Sequence, residues 1–193
     1  MMIAILKYNA GNIRSVQNAL EREGCSSVIT DNANDILYAE KVIIPGVGHA
    51  GQAMKYLRER GLDKLIKSLK QPVLGICLGL QLMCTDSEEE NTVCLGIFDS
   101  KVKRFPYGVI VPHMGWNNFT TINGELFRGI SLSDDMYYVH SYYAEICDYT
   151  TAICEYAVSF GAAMQKDNFY AVQFHPEKSA RTGEKIIRNF LAL

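Results

Sequence analysis

Short apolar runs alternate along the chain with stretches of helical period. Residues 3–6, 42–44 and Val73–Ile76 are apolar blocks of strand length, the pattern of strands joined by crossover helices. Asn12 is placed to cap a first helix that carries Ile13, Val16 and Leu20 on one face and stops at Gly24. A second helical stretch over residues 49–69 breaks at Gly61, and Pro72 opens the next strand. Residues 86–133 are rich in turn residues, predicting loops and short antiparallel strands. A last helix is predicted over residues 183–193, through Ile186, Ile187 and Phe190. The order indicates an α/β fold around a mainly parallel sheet flanked by helices. No repeat or linker divides the chain, so a single domain over residues 1–193 is expected.

Composition narrows the function. With 48% hydrophobic residues the chain can bury a substantial core, and a net charge of −2 with scattered Lys and Arg leaves no electrostatic footprint for nucleic acid or an anionic membrane. The longest apolar run, residues 72–80, falls far short of the ~20 residues of a membrane-spanning helix. The first residues lack the pattern of a signal peptide, so a cytoplasmic location is expected. The six cysteines show no C-x-x-C pair and read as reduced thiols. Most cysteines are small buried hydrophobes, so a catalytic one must be marked by its surroundings.

Cys77 is so marked. Gly75-Ile76-Cys77-Leu78-Gly79 follows an apolar strand and precedes a helical stretch, which fits a nucleophile elbow with Cys in place of Ser. Thiols at a helix N-terminus beside an imidazolium ionise well below their ordinary value of about 8.5, which makes thiolate available at neutral pH. Cys84 lacks the flanking glycines and reads as structural. Near the other end, residues 169–174 read as a strand running into His175-Pro176-Glu177. Residues two apart in extended chain point the same way, so Glu177 can orient His175 as a base. His175 and Glu177 also fit the H-x-E fragment of zinc deaminases, but the P-C-x-x-C that such a site requires is missing. A Cys-dependent α/β-hydrolase would place its acid before its His, the reverse of the order here.

Gly46-Val47-Gly48-His49-Ala50-Gly51 is a complete G-x-G-x-x-G, the mark of dinucleotide-binding folds. That reading expects the motif in the first βα turn, with an acidic residue about 20 positions later. Here an earlier strand and helix precede it and the next strand ends at Cys77, so backbone donors for an oxyanion are the favoured use.

Three motifs together, Pro45-Gly46-Val47-Gly48, Gly75-Ile76-Cys77-Leu78-Gly79-Leu80-Gln81 and His175-Pro176-Glu177-Lys178-Ser179, make the chain resemble the class I glutamine amidotransferases over essentially its whole length. Gly11-Asn12-Ile13-Arg14-Ser15-Val16, Pro112-His113-Met114-Gly115-Trp116-Asn117 and Val139-His140-Ser141-Tyr142 are similar, within that class, to the glutaminase subunits of imidazole glycerol phosphate synthases. The resemblance implies a flavodoxin-like fold, a Cys77-His175-Glu177 triad and an oxyanion hole at Val47 and Leu78. It implies glutamine contacts at Gly46, Gly48, Gln81, Ser141 and Tyr142, and no metal or organic cofactor. It also implies a (β/α)8-barrel cyclase partner that takes the ammonia and makes imidazole glycerol phosphate and aminoimidazole carboxamide ribotide in histidine biosynthesis. Asn12, Pro112, His113, Trp116 and Lys178 are the expected docking residues; an exposed Trp is a common interface anchor. An alternative acceptor is another synthase, such as a sugar amidotransferase. The chain departs from the family pattern at Lys7-Tyr8-Asn9-Ala10, where an acidic residue and Tyr-Gly are usual.

Overall fold

A computed structural model describes residues 2–8 and 11–193; Asn9 and Ala10, part of the departure just noted, lie outside the described residues. The first half runs β1 (Met2–Leu6), α1 (Ile13–Arg22), β2 (Ser26–Thr30), α2 (Ala33–Tyr38), β3 (Lys41–Ile44), α3 (Ala50–Glu59), α4 (Leu62–Ser68), β4 (Val73–Ile76) and α5 (Leu78–Met83). The second half holds the short strands β5 (Asp86–Ser87), β6 (Thr92–Val93), β7 (Lys101–Arg104), β8 (His113–Asn117) and β9 (Thr121–Ile122). It continues through β10 (Met136–His140), β11 (Tyr142–Ala144), β12 (Thr150–Tyr156), β13 (Val158–Lys166), β14 (Phe169–Val172) and α6 (Ala180–Leu191).

Strands β2, β1, β3, β4 and β14 lie side by side in that order, all parallel. With β14 as the fifth strand this is the flavodoxin-like 2-1-3-4-5 order, whose ligands bind beyond the carboxyl ends of the strands. From β14 the sheet continues antiparallel through β13 to β11 and β7, and β8 and β10 form a separate antiparallel ribbon. Alternation along β1 shows why its apolar run is unbroken. Ile3 and Ile5 pack with Val16 and Leu20 of α1 and Ile186 and Phe190 of α6, while Ala4 and Leu6 pack with Met54 and Leu57 of α3 and Ile66 of α4. Both faces of the strand are therefore buried.

Gly61 separates α3 from α4 at φ +67°, a conformation that costs glycine little. Four features of the fold differ from what the sequence pattern predicts. Asn12 precedes α1 but makes no side-chain cap; its φ of 70° turns the amide toward Glu177 instead. Strand β5 pairs with β7 in parallel, because the intervening β6 reverses the chain once and the return restores its direction. Strand β14 stops at Val172, two residues short of the prediction. Helix α6 begins at Ala180 and has Gly183 inside it, where an added Cβ would sit 1.9 Å from the Pro176 carbonyl oxygen. That glycine lets the helix lie against the His-Pro-Glu turn.

Candidate active site

The elbow is built by close backbone approach. An added Cβ at Gly46 would lie 2.6 Å from Leu78 Cβ, and one at Gly79 would lie 2.2 Å from the Ile44 carbonyl oxygen. Three pieces of chain, the end of β3, the end of β4 and the start of α5, thus meet at distances only glycine allows. Between them Cys77 adopts φ 51°, ψ −102°. A positive φ is uncommon for a side-chain-bearing residue, and here it is held by the packing on both sides. The Cys77 side chain lines a pocket of about 210 Å³, shared with Val47, Gly48, Leu78, Gln81, Ser141 and Tyr142. Every candidate glutamine contact except Gly46 therefore lies on the pocket wall with the candidate nucleophile; Gly46 is buried beneath it.

His175 follows β14 and is fully buried. Its Nδ1 lies 2.8 Å from Glu177 Oε1, and both side chains are excluded from solvent. Glu177 arrives there on a 3-10 turn over Pro176–Lys178, not along an extended strand as the two-residue spacing implied. The Asn12 amide donates to the same Oε1, and Glu177 Oε2 is buried without a partner. Behind the ring, the Ser179 hydroxyl donates to the His175 carbonyl at 2.7 Å and accepts from the Tyr137 N–H at 2.9 Å. His175 Nε2 is buried and has no hydrogen-bond partner, leaving it free for a reacting group. Burial by itself would lower the basicity of this imidazole. The negative charge and hydrogen-bonding capacity of Cys77, followed by Glu177, outweigh burial and lift its pKa from 6.5 to about 10. Burial pushes the nearby Tyr8 phenol upward, and charge on Cys77 adds to the effect.

The two expected oxyanion donors do not converge. The Leu78 N–H points at the Gly46 carbonyl, 3.4 Å away. That carbonyl shares a planar trans peptide with the Val47 N–H, so the two point in opposite directions and the Val47 donor faces away from Leu78. The Gly11 N–H donates to the Val47 carbonyl at 2.9 Å and ties this loop to the residue just before Asn12.

Of the expected docking residues, Pro112, Trp116 and Lys178 are exposed and Asn12 is half-buried. Trp116 stands on strand β8 and meets Tyr137 edge to face at 5.9 Å, and the Lys178 ammonium lies 5.9 Å from the Tyr137 ring centre. His113 is different. It is only 4% exposed, stacked on Tyr156 at 4.1 Å, so it offers no surface to a partner. Its role is internal: Asn117 Nδ2 lies 3.3 Å from His113 Nε2, His113 Nδ1 is 3.0 Å from His140 Nε2, and His140 Nδ1 is 2.7 Å from the Tyr142 carbonyl. A carbonyl only accepts, so His140 carries its proton on Nδ1 and His113 must donate to His140 from its own Nδ1. Burial holds both imidazoles neutral, with pKa values lowered to about 4 for His113 and about 3 for His140.

Two further residues at the site were not visible in the sequence pattern. Glu89 lines the pocket and accepts from the Ala50 N–H at 2.7 Å, at the start of α3; it sits in an acidic run that read as an ordinary turn. Gln173 is fully buried beside Cys77, and its only sequence signal is a lone polar residue in an apolar strand. The first glycine of the G-x-G-x-x-G loop, Gly46, packs directly against the elbow.

Residues 4–193 match the family described as Glutamine amidotransferase class-I. The chain is 55% identical to an imidazole glycerol phosphate synthase subunit HisH of Bacteroides thetaiotaomicron, covering all of both proteins. It is 46% identical to the HisH subunit of Yersinia pestis, again over both full lengths. Among solved structures, PurLQS from Thermotoga maritima superposes with a TM-score of 0.73 at 16% identity, covering 99% of this chain and 97% of that one. A glutamine amidotransferase from the same organism superposes at 0.62 and 16%, covering 100% and 83%; these two likenesses speak for the fold alone. From the family match and its full-length relatives, the chain belongs to the class I glutamine amidotransferases, and within them to the HisH subunits of imidazole glycerol phosphate synthase.

Proposed function

We propose that this chain hydrolyses glutamine to glutamate and ammonia through Cys77, His175 and Glu177, as the glutaminase subunit of imidazole glycerol phosphate synthase in histidine biosynthesis. The observation that carries the reading is a strained Cys77 on the wall of a small pocket, with a carboxylate-oriented His175 raised in basicity by its charge. The Cys77 thiolate attacks the side-chain amide carbon, and the carbonyl π electrons move to oxygen. The intermediate collapses as the His175 imidazolium gives its Nε2 proton to the leaving ammonia, leaving a thioester. His175 then takes a proton from water as it attacks the thioester, and glutamate leaves with Cys77 restored. Glu177 keeps the His175 Nδ1 proton in place throughout.

Gly48, Gln81, Ser141 and Tyr142 hold the substrate, and backbone donors at Val47 and Leu78 serve the oxyanion. One missing oxyanion donor costs about 2.7 to 4 kcal/mol of barrier. With the Leu78 N–H turned to the Gly46 carbonyl, the free chain is therefore a slow glutaminase until that peptide moves. Ammonia released into water at neutral pH is protonated and lost, so the site needs a synthase sealed over it. The partner is a (β/α)8-barrel cyclase docked over Asn12, Pro112, Trp116 and Lys178. A reducing compartment such as the cytoplasm suits a reaction that requires Cys77 as a free thiol.

The test is glutamate release by wild type and Cys77→Ala, with and without the cyclase and its ribonucleotide ligand. Release that needs Cys77 and rises with the loaded cyclase is expected. Equal release by Cys77→Ala refutes the triad, and no response to the cyclase refutes the partner.

A further inference from the structure

The orientation of a buried amide is usually ambiguous, because its oxygen and nitrogen have the same shape. At Gln173 the neighbours settle it. The Tyr142 carbonyl can only accept, so the Gln81 group 2.9 Å from it must be the Nε2 amide. That same Nε2 reaches Gln173 at 3.2 Å, which requires the Gln173 oxygen on this side. The Gln173 Nε2 is then left facing Cys77, with Sγ at 3.5 Å. Gln173 is fully buried and Gln81 nearly so, and the Gln173 backbone is fixed by a 2.8 Å bond to the Ala162 carbonyl. The Gln173 side chain is shielded from solvent, and the direction of its amide follows from the Tyr142 carbonyl two hydrogen bonds away.

We propose that Gln173 is a further catalytic residue: its amide N–H donates to the Cys77 sulfur and stabilises the thiolate that attacks the substrate. The inference rests on the reading of Cys77 as the nucleophile. A hydrogen bond to an ionised acceptor is roughly twice as strong as one between neutral groups, so this donor favours thiolate over thiol. It leaves the imidazole free for a separate task, since His175 Nε2 must later give its proton to ammonia. A fully buried Gln could otherwise serve only as a polar spacer between Gln81 and the strand, and such a spacer leaves the ionisation of Cys77 unchanged.

The experiment follows the pH dependence of Cys77 alkylation by iodoacetamide in the full chain, read by mass spectrometry of the Cys77 peptide. Wild type is compared with Gln173→Glu, which puts a carboxylate in place of the donor, and Gln173→Met, which fills the space without donating. The other titratable groups facing this site are Tyr8 and His175, with Glu177 beside the imidazole and Glu89, His140 and Tyr142 on the pocket wall; all are retained in every variant. The alkylation midpoint is expected to rise by about one pH unit or more in Gln173→Glu, on the order of tenfold slower reaction below the midpoint, and to rise less in Gln173→Met. An unmoved midpoint in Gln173→Met with wild-type circular dichroism overturns the proposal whatever Gln173→Glu does, because a carboxylate there raises the midpoint by its charge alone. Should Gln173→Met not fold, NMR of the wild type decides. The Gln173 side-chain amide signal must titrate with Cys77 and lose that titration in Cys77→Ala; a signal indifferent to pH, or one titrating equally in Cys77→Ala, overturns it. Failure of a diazo-ketone glutamine analogue to label wild-type Cys77 sinks the nucleophile reading itself, whereas labelling with an unmoved midpoint removes only Gln173.

Discussion

Glu177→Gln separates two jobs of the carboxylate in the proposed triad, its charge and its acceptor geometry. Two donors, Asn12 Nδ2 and His175 Nδ1, converge on Glu177 Oε1, while Oε2 is buried with no partner. A glutamine at this position must put its oxygen where the two donors meet, because the flipped amide would set three donors against one another. The Nδ1 proton of His175 then stays in place, and only the charge is lost. A hydrogen bond to a charged group contributes about 1.5–3 kcal/mol against about 0.5–1.5 for a neutral one, so the loss is about 1–2 kcal/mol, roughly 5- to 30-fold in rate. The corresponding change in a Ser-His-Asp triad, which installs the wrong tautomer, costs about 10,000-fold. The assay is kcat/KM for glutamine hydrolysis at saturating loaded cyclase, which removes any weakening of docking by Asn12. Asn12→Ala alone should cost little. In Asn12→Ala/Glu177→Gln the amide is free to flip, and activity should fall at least about tenfold below the product of the two single effects, a coupling that a double-mutant cycle reads directly. A single-mutant loss near 10,000-fold, or an additive cycle, would refute the proposed role of Asn12.

Gly79→Ala drives a methyl into the Ile44 carbonyl and should destabilise the chain by at least about 2 kcal/mol in urea unfolding; a change under about 0.5 kcal/mol would contradict the close approach. His113 and His140 are neutral in the fold down to about pH 4 and pH 3, whereas unfolded imidazoles protonate near pH 6.5. The unfolded chain therefore binds more protons in that window, and stability should fall as pH drops from about 6.5 toward 3. The slope of urea midpoint against pH between 6.5 and 4.5 should flatten in His113→Gln/His140→Gln, and equal slopes would show that the pair is not buried neutral. Trp116→Ala, which removes a half-exposed ring braced by Tyr137, should raise Kd for the cyclase about 30-fold, the scale of an interface hot spot, and leave thermal stability of the free chain within about 0.5 kcal/mol.

How much of this was legible in the sequence depended on the distance over which each feature is made. The elbow is local: two glycines, an apolar strand and the start of a helix lie within residues 73–83, so Cys77 could be picked from six cysteines. The pairing of His175 with Glu177 was also foreseen, although a 3-10 turn brings them together where an extended strand was expected. Asn12 was legible as the head of α1 but not as a donor to Glu177, because a good capping residue and a half-buried amide turned to a distant carboxylate have the same local sequence. His113 lies in a Pro- and Gly-rich segment that read as surface; its burial depends on Tyr138 and Tyr156 from two other strands. Gln173 gave almost no signal, since its meaning comes from Gln81 and Tyr142, which no periodicity connects to it.

The same distinction explains where the pocket sits. Cys77, the candidate nucleophile, and the glycine loop come from the carboxyl ends of β4 and β3, in the parallel part of the sheet. His175 leaves the end of β14, the last parallel strand, and the opposite wall, Val139 to Tyr142, comes from the ribbon strand β10 and the antiparallel strand β11. The site therefore lies at the seam between two kinds of pairing, and the Tyr142 carbonyl is where they are tied: it accepts from Gln81 on one side and His140 on the other. One acceptor sets the polarity of both chains, toward Cys77 through Gln173 and toward Asn117 beside Trp116 through His113. A continuous line of oriented hydrogen bonds thus runs from Asn117, the chain neighbour of Trp116, through His113, His140, the Tyr142 carbonyl, Gln81 and Gln173 to the Cys77 sulfur.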